Sequence, residues 1–507
     1  MNERMSAADV TFLHRESRVA PQHVGGLIVL DVPAAGFDYD RLVRLIEERI
    51  SFAPRYRQKI RTVPGRLARP VWVDDPRFDI TYHVRRSALP RPGSDAQLLE
   101  FCARIQSRLL DRSRPLWEMY LVEGLGREPG GADTGRVAIL TKTHPAMVGE
   151  PDGIDLAQVI LDAAPTPHRT VEPIWMPEPE PGSAALMYDA ALGVLRSPVQ
   201  LLETASSAAR DVRDVAARAS WLAGGLASTA GAVLRRAPSS PLSAQLGEQR
   251  RLAIARTRLA DYRAVRDAFG GTVNDVVLAV VSGALRGWLL SRATPLRPAS
   301  TVRALVPVSV ADPLNGTHPG AAFGSAPAVR PLLVDLPVGE PDPVLRLAQL
   351  RYAMATHKAS GRAVDAHSLT ELAGFAPPTL HALGARAASE LTRRLFSLVI
   401  TNVPGPQLPL YAAGARMSEM FPILPLTEGH AASIALASYD GGVYYCVNGD
   451  WDAMRDVRVL AEMVEESLAE LVAATDTDAV GATGDPGRGP PAARGSSSGD
   501  TDPFEPS

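Results

Sequence analysis

At 507 residues the chain is too long for a single core, so two domains are expected. Charged residues make up 21%, hydrophobic ones 46%, and the net charge is −3, the profile of an ordinary soluble globular protein without the basic excess that nucleic acid demands. Cys102 and Cys446 have neither metal nor disulfide spacing and read as packed thiols of a reducing compartment; the start, Met1-Asn-Glu-Arg-Met-Ser6, has no apolar signal region, and a cytosolic protein is expected.

In chain order, residues 25–31 and 79–84 read as strands, and residues 37–51, with Leu42, Leu45 and Ile46 among charges, as an amphipathic helix. Residues 126–135 form a polar, Gly-rich loop. Residues 137–143 are β-branched and partly alternating, hence a buried strand that delivers His144 to its end, where Pro145 forbids further ladder pairing. Residues 154–162 carry apolar side chains at helical spacing. A Pro-rich stretch, 166–182, is a linker, and 183–236 is Ala-rich and helix-permissive. Within it, 219–234 is uncharged and too short and Gly-rich to span a bilayer; it is either an interdomain helical hairpin or, with Trp221 and flanking Arg210, Arg213, Arg218, Arg235 and Arg236, a helix on a membrane or lipid-droplet surface.

Further on, 259–269 is a helix ended by Gly270-Gly271, and Thr272 caps the next, 273–290. Strands follow at 252–256, 301–310, 328–334 and 395–402; 432–439 and 443–449 form a hairpin through Asp440-Gly441-Gly442, and 453–471 is a closing helix. Beyond Thr475 the composition leaves nothing to bury, and a disordered tail is expected.

The stretch Thr141-Lys-Thr-His-Pro-Ala-Met-Val-Gly-Glu-Pro-Asp-Gly-Ile-Asp155 holds the most chemical information. With Met5-Ser-Ala-Ala-Asp-Val-Thr-Phe-Leu-His14, Gln22-His-Val-Gly-Gly26, Pro115-Leu-Trp-Glu-Met-Tyr-Leu-Val-Glu-Gly-Leu125, Thr272-Val-Asn-Asp-Val-Val-Leu278, Leu305-Val-Pro-Val-Ser309, Thr401-Asn-Val-Pro-Gly-Pro406 and Pro409-Leu-Tyr-Ala-Ala-Gly-Ala415, it resembles the bacterial wax ester synthase/diacylglycerol acyltransferase family. That family is a branch of the condensation-domain and chloramphenicol-acetyltransferase-like superfamily. The resemblance implies an α/β fold of two similarly built domains, each a mixed sheet with flanking helices, and an active-site tunnel between them where His144 meets the Asn402 region. The division expected is 1–165, an N-terminal domain carrying His144; 166–241, linker and interdomain helices; 242–474, a C-terminal domain; and 475–507, the tail.

The implied activity is transfer of a fatty acyl group from acyl-CoA to diacylglycerol, giving triacylglycerol, or to a long-chain alcohol, giving a wax ester. The hydroxyl attacks the thioester directly; acyl-CoA is a substrate, and no cofactor or metal is expected. The family signature is His-His-x-x-x-Asp-Gly. Here His144 matches the first His, while Pro145, Gly149 and Glu150 replace the second His, the Asp and the Gly. The second His is read as the general base, and deleting a positioned base costs about 10²- to 10⁴-fold. Gly149 cannot act as the structural carboxylate, and Glu150 adds a side chain where the loop can need positive φ. His144, Asp152 and Glu150 are the candidate replacement bases, set against a supporting histidine and solvated loop carboxylates. Trp117, Asn274, Asn402 and His430 are the candidate substrate contacts. For each an ordinary role stands alongside: core packing for Trp117, helix capping around Asn274, a strand exit for Asn402 and a hairpin flank for His430. The rival function is a non-catalytic lipid or acyl-CoA binding protein, or the partner of an active paralogue.

Overall fold

The computed structural model describes residues 3–33, 36–66, 68–126, 135–148, 156–166, 175–196, 240–309, 329–360 and 395–483. Two six-stranded sheets organise them. The first runs Tyr411–Ala412, Ala415–Ile423, Val24–Asp31, Arg136–Thr143, Trp117–Leu125, Val84–Ala88, and is antiparallel except at its last pair. The second runs Arg250–Arg258, Gly442–Asp450, Ala432–Tyr439, Leu398–Pro404, Val302–Ser309, Val329–Leu336, and Leu398–Pro404 pairs in parallel with both neighbours.

Alternation along the strands of the first sheet builds two cores. Ile28, Leu30, Val137 and Ile139 face an outer core with Leu42, Leu45 and Ile46 of the helix Tyr39–Arg49. Leu27, Ala138 and Leu140 face the other way, into a seam with Leu98, Cys102 and Ile105 of the helix Asp95–Gln106 and with Leu252 and Cys446 of the second sheet. Both cysteines are free there, and burial raises both thiols, Cys446 to about 12. The core of the second half surrounds the helix Val273–Ser291, which Thr272 and Asp275 cap reciprocally. This helix is long and apolar enough to cross a membrane, yet two thirds of its apolar window is packed inside the protein.

Several expectations change. Residues 80–83 form one helical turn rather than a strand, because the Asp79 carboxylate accepts both the N–H and the hydroxyl of Thr81 and closes a turn; the strand starts at Val84. The strand Ala415–Ile423, placed by the sequence in the second domain, pairs along Val24–Asp31 and completes the first sheet, so residues 411–423 cross from one half to the other. The closing helix, Val457–Thr483, runs past the 475 boundary. The helices Asp95–Gln106 and Pro343–Ser360 and the short pair Gln58–Arg61 with Val71–Asp74 were not anticipated, although Ser94 and Gln97 form a capping box. The hairpin at Asp440 holds: Asp440 and Gly441 take φ of 43° and 82°, the left-handed pair of a tight two-residue turn. Residues 219–234 lie outside the described residues.

Candidate active site

The strand Arg136–Thr143 lies inside the first sheet, paired on both sides, and every residue from Val137 to His144 is buried. His144 keeps extended geometry, φ −74° and ψ 136°, and its N–H donates to the Leu116 carbonyl at 3.0 Å. Pro145 then ends the ladder and opens a 3₁₀ turn, Pro145–Met147. That turn aims the Ala146 N–H back at His144 Nδ1, 3.2 Å away. An imidazole nitrogen that accepts from an amide carries no proton, so the hydrogen sits on Nε2, which is buried without a partner. Burial, with the nearby Arg112 guanidinium, lowers the His144 pKa to about 4, so the ring is neutral at pH 7. As held, His144 presents a donor, and its one lone pair is occupied. The sequence offered His144 both as a replacement base and as a supporting histidine, and its Nδ1 is here committed to the Ala146 N–H.

Three residues not singled out in the sequence complete the corner. Lys142, fully buried, donates to the Ile105 carbonyl at 3.1 Å and to that of Arg108, closing the end of the helix Asp95–Gln106. Burial lowers its pKa to about 8 despite Glu118 at 3.9 Å. His23 stands one step beyond the Val24–Thr143 pair, across from His144. Its Nε2 bonds the Gln106 carbonyl at 2.8 Å and must be the protonated nitrogen, which leaves Nδ1 bare, buried and without a partner. Gln106 in turn donates to the Thr141 carbonyl at 3.3 Å, crossing over Gly25, where a Cβ would lie 2.0 Å from its amide nitrogen. The signal for His23 was its place in the segment Gln22–Gly26 and that for Lys142 its place in Thr141–Asp155; Gln106 carried none.

At the other strand exit, Asn402 Nδ2 donates to Asn274 Oδ1 at 3.3 Å, so two of the sequence candidates meet. Asp275 is occupied with the cap of its helix. Trp117 packs in the outer core with no exposed surface; its indole N–H donates to the Tyr56 carbonyl at 2.8 Å and its ring stacks on His83 at 4.6 Å, as in the core-packing role the sequence also offered. His430 is likewise internal: its Nε2 bonds the Phe396 carbonyl at 2.8 Å and its ring stacks on Phe396 at 4.5 Å. Gly149, Glu150 and Asp152 lie outside the described residues.

A cleft of about 830 Å³ opens along the seam between the helix Asp95–Gln106, the strand Arg250–Arg258 and the closing helix. Arg104, Arg108, Arg251, Arg455 and Arg458 line it, and the Arg251 guanidinium lies 3.6 Å over the Trp451 ring. Neither His144 nor Asn402 lines this cleft. A void of about 10 Å³ shares its wall at Arg250 and is lined by His23, Gln106 and Asn448. Among the described residues no three His, Cys, Asp or Glu side chains are grouped to hold a metal ion.

The model of the wax ester synthase/diacylglycerol acyltransferase catalytic domain matches residues 5–277, and that of the WS/DGAT C-terminal domain matches residues 328–472. The probable diacylglycerol O-acyltransferase tgs3 of Mycobacterium tuberculosis is 43% identical over 267 residues, 52% of this chain and 96% of the relative. The probable diacylglycerol O-acyltransferase tgs1 of the same organism is 31% identical over 482 residues, 92% of this chain and 96% of the relative. Among solved structures, the wax ester synthase/diacylglycerol acyltransferase from Marinobacter aquaeolei VT8 superposes with a TM-score of 0.63 at 28% identity, covering 93% of this chain and all of that one. The first condensation domain of the calcium-dependent antibiotic synthetase, at 18% identity and a TM-score of 0.53 over 93% of this chain and 97% of that one, shares the fold.

Proposed function

The chain belongs to the wax ester synthase/diacylglycerol acyltransferase family, and we propose that it transfers a fatty acyl group from acyl-CoA to the hydroxyl of diacylglycerol or of a long-chain alcohol. The observation that carries this reading is the match in both halves, at up to 96% coverage of an acyltransferase relative. The seam cleft supports acyl-CoA as donor: planar, permanently charged guanidiniums suit the phosphates of its nucleotide end, and Arg251 over Trp451 offers a flat surface for the base. Surface association with a membrane or lipid droplet through 219–234 rests on Trp221 and the flanking arginines alone.

Turnover is expected to be slow. Pro145 has no proton acceptor where the family's base stands, and His144 has its lone pair bonded to Ala146. The same two facts favour a second reading, a non-catalytic acyl-CoA or lipid binder. Thiol release from acyl-CoA with diacylglycerol or hexadecanol separates the two. The present chain should turn over at least about 10²-fold more slowly than a Pro145→His, Gly149→Asp, Glu150→Gly variant. No turnover in either, with acyl-CoA bound by both, selects the binding protein.

A further inference from the structure

Four histidines are buried in the described structure with one ring nitrogen lacking a partner: His23, His83, His144 and His430. An orphaned buried polar atom costs free energy and calls for a reason. His83 is stacked between Phe78 and Trp117, and His430 lies flat on Phe396, so each has a packing role and neither lines a void. His23 and His144 have no such ring stack among the described residues; His23 lines the small void beside Arg250, and His144 lines neither that void nor the cleft. Each stands one residue beyond the last pair, Val24 with Thr143, of the Val24–Asp31 and Arg136–Thr143 ladder, in step with Gly25 and Lys142, which face the seam.

The two orphans are complementary. The bond to Gln106 fixes the His23 tautomer with a free lone pair on Nδ1; the bond to Ala146 fixes the His144 tautomer with a free proton on Nε2. His23 also lines the void of about 10 Å³ behind Arg250, room for roughly one oxygen atom. Resting on the acyltransferase reading, we propose that this pair supplies the chemistry that Pro145 lacks: His23 Nδ1 takes the proton of the attacking hydroxyl, and His144 Nε2–H donates to the thioester carbonyl oxygen as it becomes negative. The hydroxyl oxygen bonds to the acyl carbon, its proton passes to His23, and the oxyanion is held by His144. Collapse breaks the carbon–sulfur bond, and His23 returns the proton to the leaving thiolate, so ester and free thiol leave with both histidines neutral. In this arrangement His23 is the base and His144 the electrophile, the reverse of what the motif position of His144 suggests.

The test uses the full chain with His23→Gln and His144→Gln. Glutamine can keep a donor to the Gln106 carbonyl at 23 and an acceptor for the Ala146 N–H at 144, but it cannot take a proton. Expected are a fall in kcat of about 10²-fold or more for His23→Gln and about 10-fold or more for His144→Gln, with KM for acyl-CoA within about threefold and unchanged thermal unfolding. Nitrogen-15 shifts of the two rings should show Nδ1 bare in His23 and Nε2 protonated in His144, a readout that a purely structural role for the substitutions does not supply. Turnover of the starting chain that survives His23→Gln unchanged overturns the inference and leaves the acyltransferase reading intact. Turnover only after the His-His-x-x-x-Asp-Gly pattern is restored also overturns it. No turnover in any variant removes the acyltransferase reading, and the inference with it.

Discussion

The two strand exits are built on opposite principles. The first, at His144, ends a strand paired on both sides and buried throughout, braced from the outer core by Trp117 and His83. The second, at Asn402, ends a strand paired along Val399–Pro404 on one side but only at Leu398 and Val399 on the other; it leaves Val403 39% exposed and is joined to the helix Val273–Ser291 by one amide–amide bond. An exit over-determined by packing keeps its backbone whichever side chains follow it, and here the strand stays paired on both sides through Thr143 although Pro145 follows His144. The second exit, paired through Pro404 on one side only, depends on the Asn402–Asn274 bond for its tie to the helix.

The sharpest way to break this contrast is Trp117→Ala. The side chain is wholly buried and bonded to the Tyr56 carbonyl, so its removal leaves a cavity, an unpaired carbonyl and an unsupported His83. A loss of about 3–5 kcal/mol is expected in denaturant unfolding, with the first half loosening before the second. A loss below about 1 kcal/mol would mean that the first exit is not braced from the outer core.

Acid sharpens the contrast further, because among the described residues the buried imidazoles His83 and His144 stand at the first exit. His83 and His144 both fall to about 4 from an ordinary 6.5, chiefly through burial. Their folded-state pKa is depressed, so the stability they contribute is present above about pH 6.5 and is lost as pH falls through 4, while the unfolded chain takes up the protons first. The loss is on the order of 3 kcal/mol per ring by pH 4. Urea midpoints of His144→Gln and His83→Gln, measured against the starting chain from pH 7.5 to 4.5, should fall less steeply; parallel curves would refute the assignment.

Most of the elements were legible because their signals are local: alternation at 137–143, the cap at Thr272, the left-handed turn at Asp440. What was not legible is what distant partners decide. Residues 79–84 alternate like a strand, but the Asp79 carboxylate reaches Thr81 and closes a turn. Nothing within Ala415–Ile423 reveals that its partner is Val24–Asp31, some 390 residues earlier in the chain. At the site, the His144 tautomer depends on an amide two residues on, and the part assigned to His23 depends on a carbonyl contributed by Gln106. The motif located the corner; hydrogen bonds made elsewhere decide which atoms there are free.

The two halves are also tied across the seam. Arg256 of the second sheet makes a two-pronged bond to Glu419 on the crossing strand, at 2.6 and 2.9 Å, and reaches Asp95 at 2.7 Å. The guanidinium is about a third exposed, so the cost of Arg256→Ala is discounted to about 1–2 kcal/mol. If the seam aligns the cleft with the His144 corner, KM for acyl-CoA should rise severalfold in the same variant. A stability loss with unchanged KM would separate the fastening of the halves from substrate binding.

The smallest structural effect is expected at the second exit. Asn402→Ala removes one partly buried amide bond at 3.3 Å and leaves Asn274 near enough to solvent to find another partner, so stability should fall by only about 0.5–1 kcal/mol. Activity should respond more strongly, about 10-fold in kcat/KM, if the Asn402 amide has a substrate-facing role, because the bond to Asn274 sets where that amide points. Asn274→Ala should reproduce the loss, and the double variant should be no worse than either single one, the signature of two residues acting through one bond. Additive losses would mean that each asparagine acts separately. Unchanged activity in all three would make the pair an ordinary strand exit and place the reaction at the first corner alone.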